Sequence, residues 1–205
     1  MARKPPGKRG GGPSGRLRII GGQWRGRMLP VADRPGLRPT PDRVRETLFN
    51  WLAYDLHDVR VLDMFAGTGA LGFEALSRGA ASVLMFEPDA LAARQLADSA
   101  AQLGARPPQL EVRRADAVAA LASSNDKFDV VFVDPPFQAG LWDEALAVLP
   151  DLLNPAHRVY VESARDWAGP RDPAWRELKH KRAADVEFRL LDYSGHPESM
   201  RGDNS

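Results

Sequence analysis

The sequence predicts an α/β fold, a mostly parallel β-sheet with helices on both faces and an antiparallel pair of strands at its C-terminal end. Three observations lead there. From residue 59 onward, short apolar runs alternate with stretches of helical period, the pattern of a parallel sheet covered on both sides. After Trp175 that alternation stops, and ELKHKRAADVEFRLLDYS suits two antiparallel strands joined by a short turn. Ahead of both lies a segment of different texture, which predicts a small N-terminal hairpin and helix extension.

Taken in order, residues 1–15 are rich in Gly, Pro, Lys and Arg and read as a disordered basic tail. Residues 16–55 form the extension. RLRIIGGQWRGRML (16–29) places two apolar runs around Gly21 and Gly22, as a β-hairpin would. GLRPTPDRVRETLFNWLAYDL then opens a helix, with Thr40 as a plausible N-cap and Pro41 at the first helical position. Val44, Leu48, Trp51 and Leu52 share one face of it. Residues 56–195 form the main domain. Its strand-like runs are VRVLDMF (59–65), ASVLMFE (81–87), QLEVRR (109–114), FDVVFVD (128–134) and HRVYVES (157–163). Helical patterns fill 70–78, 89–103, 117–123 and 141–153, and residues 196–205 are a polar tail.

Composition narrows the chemistry. The 205 residues include no cysteine, which excludes a disulfide framework and thiolate metal sites and fits a reducing, cytoplasmic setting. The four histidines lack zinc-site spacing, so no metal is expected. No apolar run approaches the ~18–20 residues that cross a bilayer. The net charge of +1 conceals an asymmetry: residues 1–50 carry +9 and the rest −8. A basic arm on an acidic body suits a polyanionic partner, or, for residues 1–14 alone, a solubilising tail.

The first strand of the main domain runs into LDMFAGTGALG. Residues 67–72, GTGALG, match G-x-G-x-x-G between a strand and a helix, where glycines permit a tight turn and close ligand approach. Glu87 ends the next strand twenty residues after Gly67, placed to hydrogen-bond ribose hydroxyls. Strand, loop, helix, strand and acid in order predict a nucleoside-containing cofactor. Asp63, four residues before Gly67, would oppose a pyrophosphate but suits a cationic ligand such as S-adenosyl-L-methionine, which has a sulfonium and an ammonium. Its other reading is a carboxylate that caps the helix or orders the loop. Asp116, in RRADAV, either caps the next helix or accepts from an adenine amino group.

FDVVFVDPPF (128–137) then ends a buried strand in a carboxylate, two prolines and a ring. All these strands should finish on one edge of the sheet, where open α/β sheets bind ligands, so Asp134 should lie near Asp63. The Asp134 side chain and the Pro135 carbonyl could hold the two hydrogens of an exocyclic amino group and aim its nitrogen lone pair at a methyl donor. Pro135 and Pro136 stiffen the loop. Phe137 would stack on an unpaired or flipped base. The alternative is a strand-terminating turn with Phe137 in the core.

These residues carry a resemblance. D-x-F-A-G-x-G at Asp63–Gly69 with D-P-P-F at Asp134–Phe137 resembles class I methyltransferases acting on amino nitrogens. RIIGGQWRGRMLP (18–30), GLRPTPDRVRETLFNWL (36–52), VFVDPPF and VYVES closely resemble the bacterial RsmD-type 16S ribosomal RNA guanine-N2 methyltransferases, over roughly residues 16–193. The resemblance implies the class I methyltransferase Rossmann-like fold with a seven-stranded sheet, and S-adenosyl-L-methionine as donor. It implies as target one guanine, number 966 in the family's nomenclature, of 16S rRNA within the 30S subunit or its assembly intermediate. It also places Asp63, Phe65, Ala66, Gly67 and Gly69 on the methionine side of the cofactor, Glu87 on its ribose and Asp116 on its adenine. Asp134, Pro135, Pro136 and Phe137 would hold the target base. Met64 and Thr68 stand where relatives often carry Cys and Ser, changes that leave backbone contacts alone.

The basic arm fits that picture. Arg16, Arg18, Arg25 and Arg27 flank Trp24, mixing phosphate-binding cations with a ring for stacking, and Arg38, Arg43 and Arg45 lie near the helix start. Trp24 could equally anchor the hairpin. A monomer is expected. Competing readings are a DNA adenine or protein glutamine methyltransferase, an NAD-dependent oxidoreductase, and a catalytically silent RNA-binding module. The chain lacks room for a DNA target-recognition domain, the loop begins with Asp rather than the Asn of glutamine enzymes, and Asp63 with DPPF argues against NAD.

Overall fold

Runs such as VLMF and VVFV are apolar toward both sides, so the strands carrying them need a sheet covered on both faces. The computed structural model describes residues 15–34, 40–183 and 186–195. It opens with a two-stranded antiparallel ribbon of β1 (Gly15–Arg18) and β2 (Met28–Val31), followed by α1 (Asp42–Trp51). The main sheet comprises β3 (Arg60–Asp63), β4 (Ser82–Phe86), β5 (Leu110–Arg113), β6 (Phe128–Val133), β7 (Leu153–Ala164), β8 (Trp175–Ala183) and β9 (Val186–Tyr193). Their order is β5-β4-β3-β6-β7-β9-β8, parallel except for β9, which runs antiparallel to both β7 and β8. Between the strands lie α2 (Ala70–Ser77), α3 (Ala90–Leu103), α4 (Ala117–Leu121) and α5 (Trp142–Ala147). This is the seven-stranded class I methyltransferase architecture that the resemblance implies.

Two cores flank the sheet. On one face Val61, Met85, Phe132, Tyr160 and Phe188 pack with α1, α2, α3 and the ribbon. On the other, Leu62, Phe86, Val131, Val161 and Leu191 pack with α4 and α5. The first core draws Leu17, Ile19 and Leu29 of the ribbon and Leu48 and Phe49 of α1 into contact with the sheet, so residues 16–55 share their interior with the main domain. Phe49 meets the edge of Phe132, centroids 6.1 Å apart, and Trp51 lies on Phe188 at 5.3 Å.

Local expectations differ from the structure in three places. The ribbon closes through a nine-residue loop, because Arg18 pairs with Met28; Gly21 and Gly22 are not its turn but its docking point on α2. A Cβ on Gly22, whose φ is +72°, would stand 1.8 Å from the Ser77 carbonyl oxygen. Thr40 does not cap α1, whose N-cap is Pro41 without a side-chain hydrogen bond. The helix read at 141–153 ends at Ala147, and after a short 3-10 turn at Pro150–Leu152 the chain enters β7 at Leu153, paired with Phe128. Proline cannot continue the helix, and sheet pairing claims the leucines that follow. The basic tail at residues 1–14, Arg38 and the polar tail at 196–205 lie outside the described residues.

Candidate active site

After β3 the chain turns to β4 and β5 on one side, then returns to place β6 on the other side of β3. That reversal opens a crevice at the carboxyl ends of β3 and β6, the place where such sheets bind ligands. Strand register says which side chains face it. Asp63 is level with Met85, with Phe132 and through Phe132 with Tyr160, and all of these point to the α1 and α2 face. One pleat nearer the carboxyl edge on that face come Glu87, Asp134 and Glu162, since side chains alternate with a period of two. Four carboxylates therefore converge on one edge.

Each is held differently. Asp63 is buried, and its Oδ2 accepts the Gly72 N–H at 3.1 Å, tying the strand end to the first turn of α2. Burial pushes its pKa up to about 7, against the pull of the Gly72 and Phe65 N–H groups and with help from Glu87. Glu87 accepts from Gly67 N at 3.0 Å and Asp89 N at 2.8 Å, and burial raises its pKa. Asp134 is raised well above the usual carboxylate range by desolvation, then by the charges of Glu162 and Asp63, while Thr40 opposes the shift. The Thr40 hydroxyl donates to Asp134 Oδ2 at 3.4 Å, which is the role this residue takes in place of capping. Glu162 is buried and raised by desolvation, and its Oε2 accepts the Tyr160 hydroxyl at 2.9 Å.

The glycine loop closes the cofactor side. Gly69 adopts φ +78° as it enters α2, and a Cβ there would collide with Phe73 and Leu96. Gly67 and Thr68 line a narrow cleft with Pro30, Val31 and Ala32 after β2 and with Ala92, Leu96 and Ser99 of α3. Arg34 fastens this strap to the start of α3 through Asp89 at 3.1 Å. Ala66 is buried with its N–H on the Phe86 carbonyl, and Phe65 turns to pack on the opposite core. An edge lined by carboxylates fits a cationic sulfonium ligand and would repel a pyrophosphate. Asp116 caps α4, its Oδ1 accepting from Ala119 N at 2.9 Å.

On the DPPF side, Pro135 is buried, and the Pro136 carbonyl accepts from Ala139 N. Phe137 is 39% exposed rather than in the core. It leans on Trp142, which stacks on Trp167, and Trp142 Nε1 donates to the Glu162 carbonyl at 2.8 Å. The DPPF loop and the end of β7 are thus braced together.

Two residues expected on RNA are buried instead. Arg45 is 1% exposed, with Nη1 3.4 Å from Glu74 Oε2 and Nη2 bonded to Asp42 and to the Arg18 carbonyl. Glu74 also accepts from Ile20 N, Gly21 N and Arg78 Nε, making it the hub that fastens the extension to α2. Trp24 is buried, with its backbone N–H on Ser77 Oγ, and anchors the ribbon loop. Arg16, Arg18, Arg25, Arg27 and Arg43 are exposed. Arg25 and Arg27 belong to the loop at the Ser77 end of α2, about 10 Å along that helix from the glycine loop at 1.5 Å per residue. Glu162 and Tyr160 lay in VYVES without an assigned role; their signal was a strand ending in an acid beside the DPPF strand.

Comparison with known proteins decides the family. Residues 17–192 match the family described as Conserved hypothetical protein 95. Over 189 residues the chain is 48% identical to ribosomal RNA small subunit methyltransferase D of Escherichia coli strain K12, covering 91% of this chain and 94% of that protein. The chain belongs to the RsmD family. The Haemophilus influenzae member is 44% identical over 86% of this chain and 93% of its own length. The solved structure of Escherichia coli yhhF superposes with a TM-score of 0.79 at 43% identity, covering 87% of this chain and 98% of that one. The ribosomal protein L11 methylase of Lactobacillus delbrueckii, 16% identical with a TM-score of 0.60, shares the RsmD fold alone.

Proposed function

We propose that this protein is an S-adenosyl-L-methionine-dependent methyltransferase acting on the exocyclic N2 of a guanine in 16S rRNA, within the 30S subunit or its assembly intermediate. The observation that carries the reading is the pair of neighbouring carboxylates, Asp134 and Glu162, at the carboxyl edge of β6 and β7 beside the Asp63 glycine loop. Guanine presents two adjacent donors on its Watson–Crick edge, the N1–H and the N2 amino group. Adenine presents an acceptor and a donor. Two acceptors side by side suit guanine, with Asp134 and the Pro135 carbonyl on the amino hydrogens and Glu162 on N1–H.

When bound, the cofactor supplies an electrophilic methyl group on a sulfonium. The chain's residues do the rest. Asp63, Gly67 and Gly69 would hold the methionine end and Glu87 the ribose. Phe137, propped by Trp142, offers its exposed ring to an unstacked base. Acceptors on both amino hydrogens turn the N2 lone pair out of conjugation and toward the methyl carbon. With the donor bound, the surplus N2 proton left after transfer would pass to Asp134 or to water. The raised proton affinity of Asp134 suits that acceptor role.

The test is mass spectrometry of 16S rRNA after incubating unmethylated 30S particles with enzyme and isotopically labelled cofactor. Label on guanine N2 at one site is expected; label on adenine, or in protein, overturns the reading.

A further inference from the structure

We propose that Lys179 and Lys181 on the edge strand β8 form a phosphate-binding rail for the RNA strand that carries the target base. The inference rests on the rRNA reading above and adds a contact surface to it.

The placement comes from a β-bulge. β8 pairs with β9 as Glu177↔Leu191 and then as Lys179↔Leu190, leaving Leu178 as the extra residue. A one-residue insertion reverses which face every later side chain points to. Before the bulge, Trp175 and Glu177 share the face of Tyr193 and Leu191, the α4 and α5 side. After it, Lys179 and Lys181 lie level with Leu190 and Phe188 on the α1 and α2 face. That is the face of the four carboxylates. Phe188 is in turn level with Glu162, whose neighbour across β6 is Asp134. Lys181 therefore stands in the same transverse row as Asp134, three strands away, or about 14 Å at ~4.8 Å per strand. Trp51 of α1 rests on the intervening Phe188, so the lysines border the helix that Thr40 leads into from Asp134.

Before the bulge Arg176, on the lysines' face, is matched with Asp192 at 2.6 Å, but beyond it the two faces of β8 are charged differently. Opposite the lysines, every cation is matched: Arg182 with Glu187 at 2.6 Å, His180 with Glu187 at 3.2 Å, and Arg189 of β9 with both Glu187 and Glu177. Among the described residues, Lys179 and Lys181 are exposed and have no acidic partner. Residues 51–205 carry a net −8, so an unmatched basic pair on the substrate face stands out from its surroundings. Lysines on an edge strand also discourage sheet-to-sheet pairing, which needs charge on either face. Pairing off the opposite face beyond the bulge while leaving the two lysines unmatched beside the site is what an anionic partner requires.

The test uses the full chain and 30S particles, with affinity measured across a salt series. Lys179→Ala/Lys181→Ala should reduce the slope of log affinity against log salt by about 1.4, the loss of two single-strand phosphate contacts. Its KM should rise with kcat at saturating substrate retained. The opposite-face control, Arg182→Ala, should leave the slope as in wild type. An unchanged slope in the lysine variant, or an equal fall in the control, overturns the proposal. So does the appearance of dimers by light scattering with RNA binding intact, which would assign the lysines to edge protection. Wild-type enzyme that transfers no methyl group to 30S particles would instead sink the functional reading, leaving the salt comparison to judge the rail by itself.

Discussion

Replacing Glu74 with alanine should cost this protein about 3–5 kcal/mol, the usual penalty for removing one partner of a buried ion pair. Glu74 is wholly buried, and its two oxygens serve four donors: Ile20 N at 2.8 Å, Gly21 N at 2.7 Å, Arg78 Nε at 2.7 Å and Arg45 Nη1 at 3.4 Å. Bonds to a charged group contribute roughly 1.5–3 kcal/mol each, but they are not additive because the loop can lift and rehydrate its amides. What cannot rehydrate easily is Arg45, whose Nε already lacks a partner. For a chain of this size, each kcal/mol shifts the melting temperature by roughly 2–4 °C, so a fall of about 6–20 °C is expected. Urea unfolding of wild type, Glu74→Ala and Glu74→Gln measures it, with Gln intermediate because one acceptor survives. Adding Arg45→Met to Glu74→Ala should recover part of the loss by removing a buried cation that then keeps only Asp42 as its ionic partner. A Glu74→Ala variant within 1 kcal/mol of wild type would refute the hub.

Asp134→Ala should abolish methyl transfer while cofactor binding, read by calorimetric titration, stays within a few-fold of wild type. The rate should rise with pH, because Asp134 must be ionised to accept amino hydrogens and its pKa is raised. Glu162→Gln removes a repelling charge, so the acid limb of the pH–rate profile should move to lower pH; no displacement would uncouple the two groups. Asp63 has a folded pKa of about 7 against 3.8 unfolded, so its contribution to stability is full below pH 4 and is lost as pH rises through 7. Asp63→Asn should therefore flatten the stability loss between about pH 4 and 7 in urea melts, and should weaken cofactor binding.

The periodic parts of this fold were legible in the sequence because apolar alternation reports sheet burial directly. The glycine loop and DPPF were legible as a site because topology brings strand ends together. What escaped was decided by distant partners. Arg45 sits on a helix face that looks solvated until Glu74, twenty-nine residues on, is placed beneath it. Thr40 has every mark of an N-cap, and only the position of the Asp134 loop gives its hydroxyl another acceptor. Leu153 read as helix because local propensity favoured it, whereas its pairing with Phe128 made it strand. The phase of β8 depends on a single bulge that no local pattern marks.

The shared core of the extension and the sheet has a consequence for how the chain is made. Residues 16–55 leave the ribosome before any strand of the main sheet, yet the apolar side of α1 finds Phe132, Tyr160 and Phe188 only when nearly the whole chain has emerged. Glu74 follows Arg45 by twenty-nine residues and can join it early, but Phe49 and Trp51 wait for Phe132 and Phe188. The sheet-facing side of α1 is thus completed only after the strands that follow it, and Thr40 can reach Asp134 only once β6 has been made. A chain that has not yet reached β6 therefore has neither the carboxylate that Thr40 bonds nor the ring on which Phe49 rests.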